Sequence, residues 1–130
     1  MWRGVGDLPS EFIFNGVNTV NLVRGYFNDL FSSDLSIEEK AKRLKKELDL
    51  IAQKSSDYIL LPIGADHLGV ESDIVEQICK INNLLTDYKI TLSSPFEYFK
   101  KVKFEKIWNN ELRDNKNTFI LPGSYSAGKI

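Results

Sequence analysis

The sequence predicts an α/β protein built from βαβ units around a short parallel sheet. Short segments at 12–14, 58–63 and 89–92 have the length of strands, and stretches with helical apolar spacing separate them. The run 58–63 is apolar at odd and even positions alike, which is typical of a strand covered on both faces. Strands that alternate with helices favour right-handed βαβ crossovers and therefore parallel pairing.

The first half of the chain begins with a strand at 12–14, which Asn15 and Gly16 close with a turn. Apolar residues from Val20 to Phe31 then recur at helical spacing and predict a helix. Ser36 and Glu39 have the spacing of a capping box, so we expect the next helix to run from 37 to about 54. Its basic residues interleave with acidic ones and predict a solvated face: Lys40, Lys42, Arg43, Lys45 and Lys46.

The second half continues with a helix expected from about 72 to 85. Cys79 lies within its apolar pattern and is expected to be a buried small hydrophobic residue. A short strand at 89–92 precedes Ser94, which we predict as an N-cap with Pro95 at the first helical position and Glu97 completing a second capping box. After Lys103 no period is visible, which indicates irregular chain or the start of another domain.

Composition limits the class of protein. The 130 residues suit one ordinary domain, and 42% hydrophobic with 27% charged residues is typical of a folded chain. A net charge of −1 gives no basic excess for nucleic acid, so no nucleic-acid partner is expected. No apolar run approaches the ~18 residues of a membrane span, no leader pattern opens the chain, and one cysteine excludes an intrachain disulfide. We therefore expect a cytoplasmic protein without a membrane partner.

Asp66 and His67 are the candidate site residues, because they lie in the loop after the apolar run 58–63, where Gly64 lets the backbone turn without a Cβ penalty. Ligands bind outside the carboxyl ends of parallel strands, and a carboxyl group leaving an apolar strand has a raised pKa that suits general acid catalysis. Alternatively, Asp66 caps the next helix or binds loop amides. His67 is the only histidine, and a catalytic zinc needs about three protein ligands, so a substrate contact or a structural role is favoured over metal binding.

Other catalytic signatures are missing from the sequence. Asp57 and Glu71 lie near Asp66 and His67 in the chain, but their spacing matches no metal-ligand motif. No Gly-x-Ser-x-Gly element, Walker loop or Gly-x-Gly-x-x-Gly element occurs. The sequence therefore offers neither a nucleophilic serine nor a phosphate-binding loop.

Segment 58–67 resembles the class II α-mannosidases, glycoside hydrolase family thirty-eight, in which an apolar strand ends in Gly-x-Asp followed by His or Phe. Four further segments resemble the same family in the same order. They are Leu-Pro-Ser-Glu-Phe at 8–12, Ile-Thr-Leu-Ser-Ser-Pro-Phe-Glu-Tyr-Phe at 90–99, Asn-Glu-Leu-Arg at 110–113 and Tyr-Ser-Ala at 125–127. The resemblance covers nearly the whole chain.

The resemblance implies a retaining double displacement on an α-mannoside oligosaccharide. Asp66 would be the general acid/base, and His67 would help to shape the sugar pocket. Residues 1–103 would be the C-terminal part of a catalytic α/β domain, a piece of a larger (β/α) barrel, and residues 104–130 would lead into a helical middle domain.

Several family motifs are missing or altered here. The family holds zinc with an early His-x-Asp pair, whose aspartate is also the nucleophile, and with a later histidine; this chain has one histidine and no such pair. The family's Ser-x-Arg is also altered, since Ala127-Gly128-Lys129 stands where the arginine is expected. The resemblance therefore implies zinc in a complete enzyme, none bound by this chain alone, and a partner that is the remainder of the enzyme or a companion chain.

Two other functions remain open from the sequence. One is a small non-catalytic βαβ module that associates through exposed sheet edges, with a partner or with itself. The other is a carbohydrate deacetylase-like barrel, which would also need metal ligands that are missing here.

Overall fold

A computed structural model describes residues 8–64, 69, 71–110 and 112. Two strands come first, β1 at Glu11–Phe14 and β2 at Val17–Val20. Four helices follow: α1 at Asn28–Phe31, α2 at Ile37–Ala52, α3 at Ile74–Asn82 and α4 at Pro95–Lys101. The last element in this part of the chain is β3 at Ile107–Trp108. The mixed α/β class is confirmed, but the elements do not alternate as βαβ units would.

The first two strands form a hairpin. β1 pairs antiparallel with β2, from Glu11 opposite Val20 to Phe14 opposite Val17. Asn15 and Gly16 have φ of 49° and 78°, as a two-residue hairpin turn with left-handed backbone requires. The predicted turn is confirmed. The helix predicted from Val20 to Phe31 is confirmed only at its end, as α1, because the turn brings Val20 back alongside β1.

The sheet is completed by the most distant strand. β3 pairs parallel with β1, with Ile107 beside Ile13 and Trp108 beside Phe14, which gives the strand order β2-β1-β3. A parallel pair was predicted, but not between these segments. A strand of two residues is too short to show an alternating pattern, so the sequence after Lys103 did not predict a strand.

Both predicted N-caps are confirmed, but only one of the two predicted capping boxes is complete. Ser36 Oγ accepts from the Glu39 amide at 3.2 Å, and the Glu39 carboxylate accepts from the Ser36 amide at 3.1 Å, so the capping box of α2 is confirmed. Ser94 is the N-cap of α4, and its hydroxyl accepts from the Glu97 amide at 3.3 Å. The Glu97 carboxylate accepts from Lys100 Nζ at 2.9 Å, in place of the reciprocal bond of a capping box.

The main apolar core lies among the helices rather than on the sheet. Its buried members come from the chain before α1, from α1, α2 and α3, and from the turn after α3: Phe27, Phe31, Ala41, Leu44, Leu48, Ile51, Ile78, Ile81 and Leu85. Two positions within these helices differ from expectation. Lys40 is buried although it was placed on a solvated face, and Cys79 is exposed although it was placed in the core.

Segments 58–63 and 89–92 join no ladder among the described residues, so both predicted strands are wrong. Ile59 and Leu61 pack against the helical core, while Leu60 lines a cavity on the other side. The middle of run 58–63 is thus half-buried without a neighbouring strand, whereas Tyr58 and Ile63 at its ends are exposed. At 89–92, the Asn82 side chain takes the place of a strand, because its amide donates to the Ile90 carbonyl and accepts from the Ile90 amide, both at 2.8 Å.

Candidate functional site

Asp66 and His67, the two predicted site residues, lie outside the described residues. The chain that leads to them is described as far as Gly64, and the Pro62 carbonyl fixes it by accepting from the Phe27 amide at 2.9 Å. Gly64 has φ of 128°, a conformation that a side chain would strain, which is the conformational role predicted for it. Gly64 and Gly69 are both exposed.

A small cavity lies behind run 58–63. Leu60 lines it together with Ser10, Asn21, Ser55 and Tyr98. Ser55 Oγ donates to Ser10 Oγ at 2.7 Å at its wall. Its volume of about 10 Å³ is close to the lower limit for one water molecule, whereas ligand pockets measure hundreds of cubic ångströms. This cavity is therefore no site for a sugar.

A buried carboxylate lies beside the cavity. Glu11, at the start of β1, is almost fully buried, and Tyr98 of α4 donates its hydroxyl to Glu11 Oε1. The Ser56 amide donates to Glu11 Oε2 at 3.0 Å. Burial, together with the hydrogen bond to the carboxylate, raises the pKa of Tyr98 well above its usual range. The phenol therefore keeps its proton at any physiological pH and acts as a donor that connects α4 to β1.

The sequence did not single out Glu11 or Tyr98. A signal was nevertheless present, because Glu11 adjoins an apolar strand and Tyr98 occupies the apolar side of a capped helix. A carboxylate in such surroundings needs hydrogen-bond donors when it is buried. Only the folded chain shows which donors these are.

A second buried polar cluster joins three helices. Lys40 Nζ of α2 donates to the carbonyl of Phe31, the last residue of α1, and to Gln77 Oε1 of α3, each at 2.9 Å. Gln77 Nε2 donates to the same carbonyl at 3.2 Å and to Asp73 Oδ1 at 2.9 Å. A cation at the carboxyl end of a helix stabilises carbonyls that have no partner within that helix. The arrangement is structural, since the Lys40 ammonium and the Gln77 amide already have hydrogen-bond partners within the chain.

Surface charges form pairs without converging on a cleft. Arg24 binds the Glu47 carboxylate, which raises the pKa of that guanidinium. Lys45 Nζ lies 3.2 Å from Asp49 and 3.0 Å from Asp87, and this pairing lowers the pKa of Asp87. Among the described residues, no three of the types His, Cys, Asp and Glu lie close enough together to hold a metal ion.

Comparison with protein-family models, with curated proteins and with solved structures finds no match to this chain. Within the described part of the chain, no helix combines the length and the apolar character needed to cross a bilayer.

Proposed function

We propose that the chain is a segment of a retaining α-mannosidase-like glycoside hydrolase in which Asp66 is the general acid/base. The observation that carries the proposal is the sequence order of five segments, each of which resembles a class II α-mannosidase element. Asp66 would protonate the departing glycosidic oxygen and then activate water. His67 would contact the sugar.

The arrangement of the motif segments supports the proposal. Ser10, Leu60 and Tyr98 come from three of those segments, 8–12, 58–67 and 90–99, and line the same cavity. Tyr98 also donates its hydroxyl to Glu11 of the first segment. Three of the five resembling segments therefore lie close together in the fold.

The proposal assigns the metal and the nucleophile to another polypeptide segment. The chain has one histidine, and the described residues contain no metal-ligand cluster, so zinc would be held by the remainder of the enzyme or by a companion chain. We accordingly expect this chain alone to have no α-mannosidase activity. A reducing cytoplasmic location is part of the same proposal and rests on the single cysteine.

Replacement of Asp66 by Asn in the assembled enzyme tests the assigned role. We expect kcat on an unactivated α-mannoside to fall about 10²–10⁴-fold, because no group protonates the leaving oxygen. On a dinitrophenyl α-mannoside, whose leaving group needs no proton, a burst of the first product should remain. Added azide should then release an α-mannosyl azide from the covalent intermediate, since azide needs no general base.

Asp57→Asn is the matched control, because Asp57 is an exposed carboxylate nine positions before Asp66. Its kcat should stay within about twofold of the wild-type value. Near-normal turnover of the Asp66→Asn enzyme on the unactivated substrate, or the absence of azide rescue, would reject the acid/base role.

A non-catalytic interaction module is the second candidate. It is favoured by large apolar side chains that are exposed in the described structure, among them Val17, Phe96 and Ile107. Sedimentation velocity of the isolated chain tests whether it self-associates. A stable, strictly monomeric species would argue against a piece excised from a barrel, because such a piece leaves apolar faces uncovered.

A further inference from the structure

The outer edge of β3 presents hydrogen-bonding groups of the backbone. The Ile13 amide of β1 donates to the Lys106 carbonyl at 2.7 Å, and Ile13 is in register with Ile107. Successive residues of a strand direct their amide and carbonyl groups to opposite sides, so those of Ile107 point away from β1. No strand within residues 8–64 or 71–110 pairs with this edge.

An exposed apolar side chain lies at this edge, and two exposed lysines precede it in the chain. Ile107 is 68% exposed and lies beside the half-buried Ile13. Lys103 and Lys106 are both exposed, and Glu105 is the acidic residue between them. An open edge with an exposed apolar side chain is a template for an added strand.

We propose that this edge binds an extended acidic segment of a partner polypeptide, which adds a fourth strand next to β3. The backbone of Ile107 supplies the main-chain bonds, its side chain packs against an apolar residue of the partner, and Lys103 and Lys106 attract the partner's carboxylates. This is strand addition at a sheet edge. The inference does not depend on the glycosidase proposal.

The charges of the chain favour an acidic partner over a second copy. Two β3 edges placed side by side would bring the lysines of both copies together, and like charges opposed across strands are destabilising. The other sheet edge, β2, has the sequence Val-Asn-Thr-Val and offers no acidic residue. Residues 113–130 are also a poor match, since they contain Arg113, Lys116 and Lys129 against Asp114.

Binding of labelled peptides to the full chain tests the proposal. The probe is a heptapeptide of alternating Glu and Val, and its control is the same peptide with Lys in place of Glu. Fluorescence anisotropy should show saturable binding of the acidic peptide, weakened by added salt. The basic peptide should bind at least tenfold more weakly.

Two variants locate the binding. Ile107→Pro removes the amide that points away from β1, and an edge strand tolerates proline at such a position. Binding should weaken by roughly tenfold, which corresponds to the loss of about one net hydrogen bond. The double variant Lys103→Glu/Lys106→Glu should weaken binding by a similar factor. Lys42→Glu/Lys46→Glu, an equal charge change on the exposed face of α2, should leave it within twofold.

Several outcomes would overturn the inference. They are no binding of the acidic peptide, equal binding of the two peptides, unchanged affinity in both edge variants, or an equal loss in the α2 control. Sedimentation that shows a dimer of the wild-type chain, dissociated by Ile107→Pro, would instead assign the edge to contact between copies. If Ile107→Pro fails to fold by circular dichroism, the lysine double variant decides alone.

Discussion

At the scale of single residues, the described chain is marked by charged groups that are buried with specific partners. Glu11 accepts from Tyr98 and from the Ser56 amide, and its carboxylate therefore connects β1, the chain after α2, and α4. A buried carboxylate that loses a donor keeps its desolvation cost without compensation. The bond between Glu11 and Tyr98 should for this reason contribute far more than a similar bond at the surface.

Tyr98→Phe should lower the free energy of unfolding by about 1.5–3 kcal/mol, the usual contribution of a hydrogen bond to a charged group. Urea denaturation measures this change. Tyr88→Phe is the matched control, because the Tyr88 hydroxyl donates to Asp49 at 2.8 Å in an exposed setting. Its effect should stay under about 0.5 kcal/mol. Equal effects of the two substitutions would show that burial of the Glu11–Tyr98 pair adds nothing to the free energy of unfolding.

The raised pKa of Tyr98 gives the same bond a pH dependence. An unfolded tyrosine loses its proton near pH ~10, whereas native Tyr98 retains it, so the native state binds more protons above that pH. Stability from Tyr98 is therefore fully present below pH ~10 and declines as the pH rises further. The difference in unfolding free energy between wild type and Tyr98→Phe should narrow from about pH 9 to about pH 11. A difference in unfolding free energy that stays constant over this pH range would contradict the raised pKa of Tyr98.

At the scale of elements, two segments without regular secondary structure, 58–63 and 89–92, contact side chains and helices instead of neighbouring strands. Run 58–63 lies between the helical core and the cavity, with Leu60 on one side and Ile59 and Leu61 on the other. Segment 89–92 is held at Ile90 by the amide of Asn82, the last residue of α3. A side-chain amide carries a donor and an acceptor, as a peptide group does, and can therefore replace a strand partner at one position.

Asn82→Ala should destabilise the chain by about 1–3 kcal/mol, because it removes the partners of the Ile90 amide and carbonyl. Thermal or urea unfolding measures the loss, and hydrogen exchange at the Ile90 amide should accelerate. Asn83→Ala changes the adjacent, exposed asparagine and should cost under about 0.5 kcal/mol. If the two variants unfold alike, the Asn82 side chain does not hold this segment.

At the scale of the described chain, a helical core and a three-stranded mixed sheet are joined by short polar contacts. The Ser10 amide donates to the Lys54 carbonyl at 2.9 Å, and Ser55 donates to Ser10. Within the core, hydrogen bonds of Lys40 and Gln77 connect α1, α2 and α3. The helix arrangement thus depends on a buried ammonium group whose two acceptors belong to different helices.

Gln77→Ala should lower the free energy of unfolding by about 1.5–3 kcal/mol, because it leaves the buried Lys40 ammonium with a single acceptor from α1. Gln53→Ala, at an exposed position just after α2, should cost under about 0.5 kcal/mol. Chemical denaturation of both variants compares them. A loss no larger for Gln77→Ala than for Gln53→Ala would show that Gln77 does not secure the core.

Local signals in the sequence predicted local structure well. Ser36 with Glu39, and Ser94 with Pro95, marked the starts of α2 and α4, because capping depends on residues within one turn. Asn15 and Gly16 marked the hairpin turn for the same reason. Periodicity was misleading at Val20 and at 58–63, where an apolar residue indicates burial without indicating what covers it. Asp66 and His67 remain predictions from a sequence resemblance.

The sequence by itself determined where α2 and α4 begin and where the first two strands turn, since these depend on neighbours along the chain. The tertiary structure alone decided that β3 pairs with β1, that Lys40 and Glu11 are buried, and that Asn82 replaces a strand beside Ile90. Each of these depends on a contact between residues far apart or across a turn. A long-range contact requires both partners to be brought together by packing, and no local pattern encodes that.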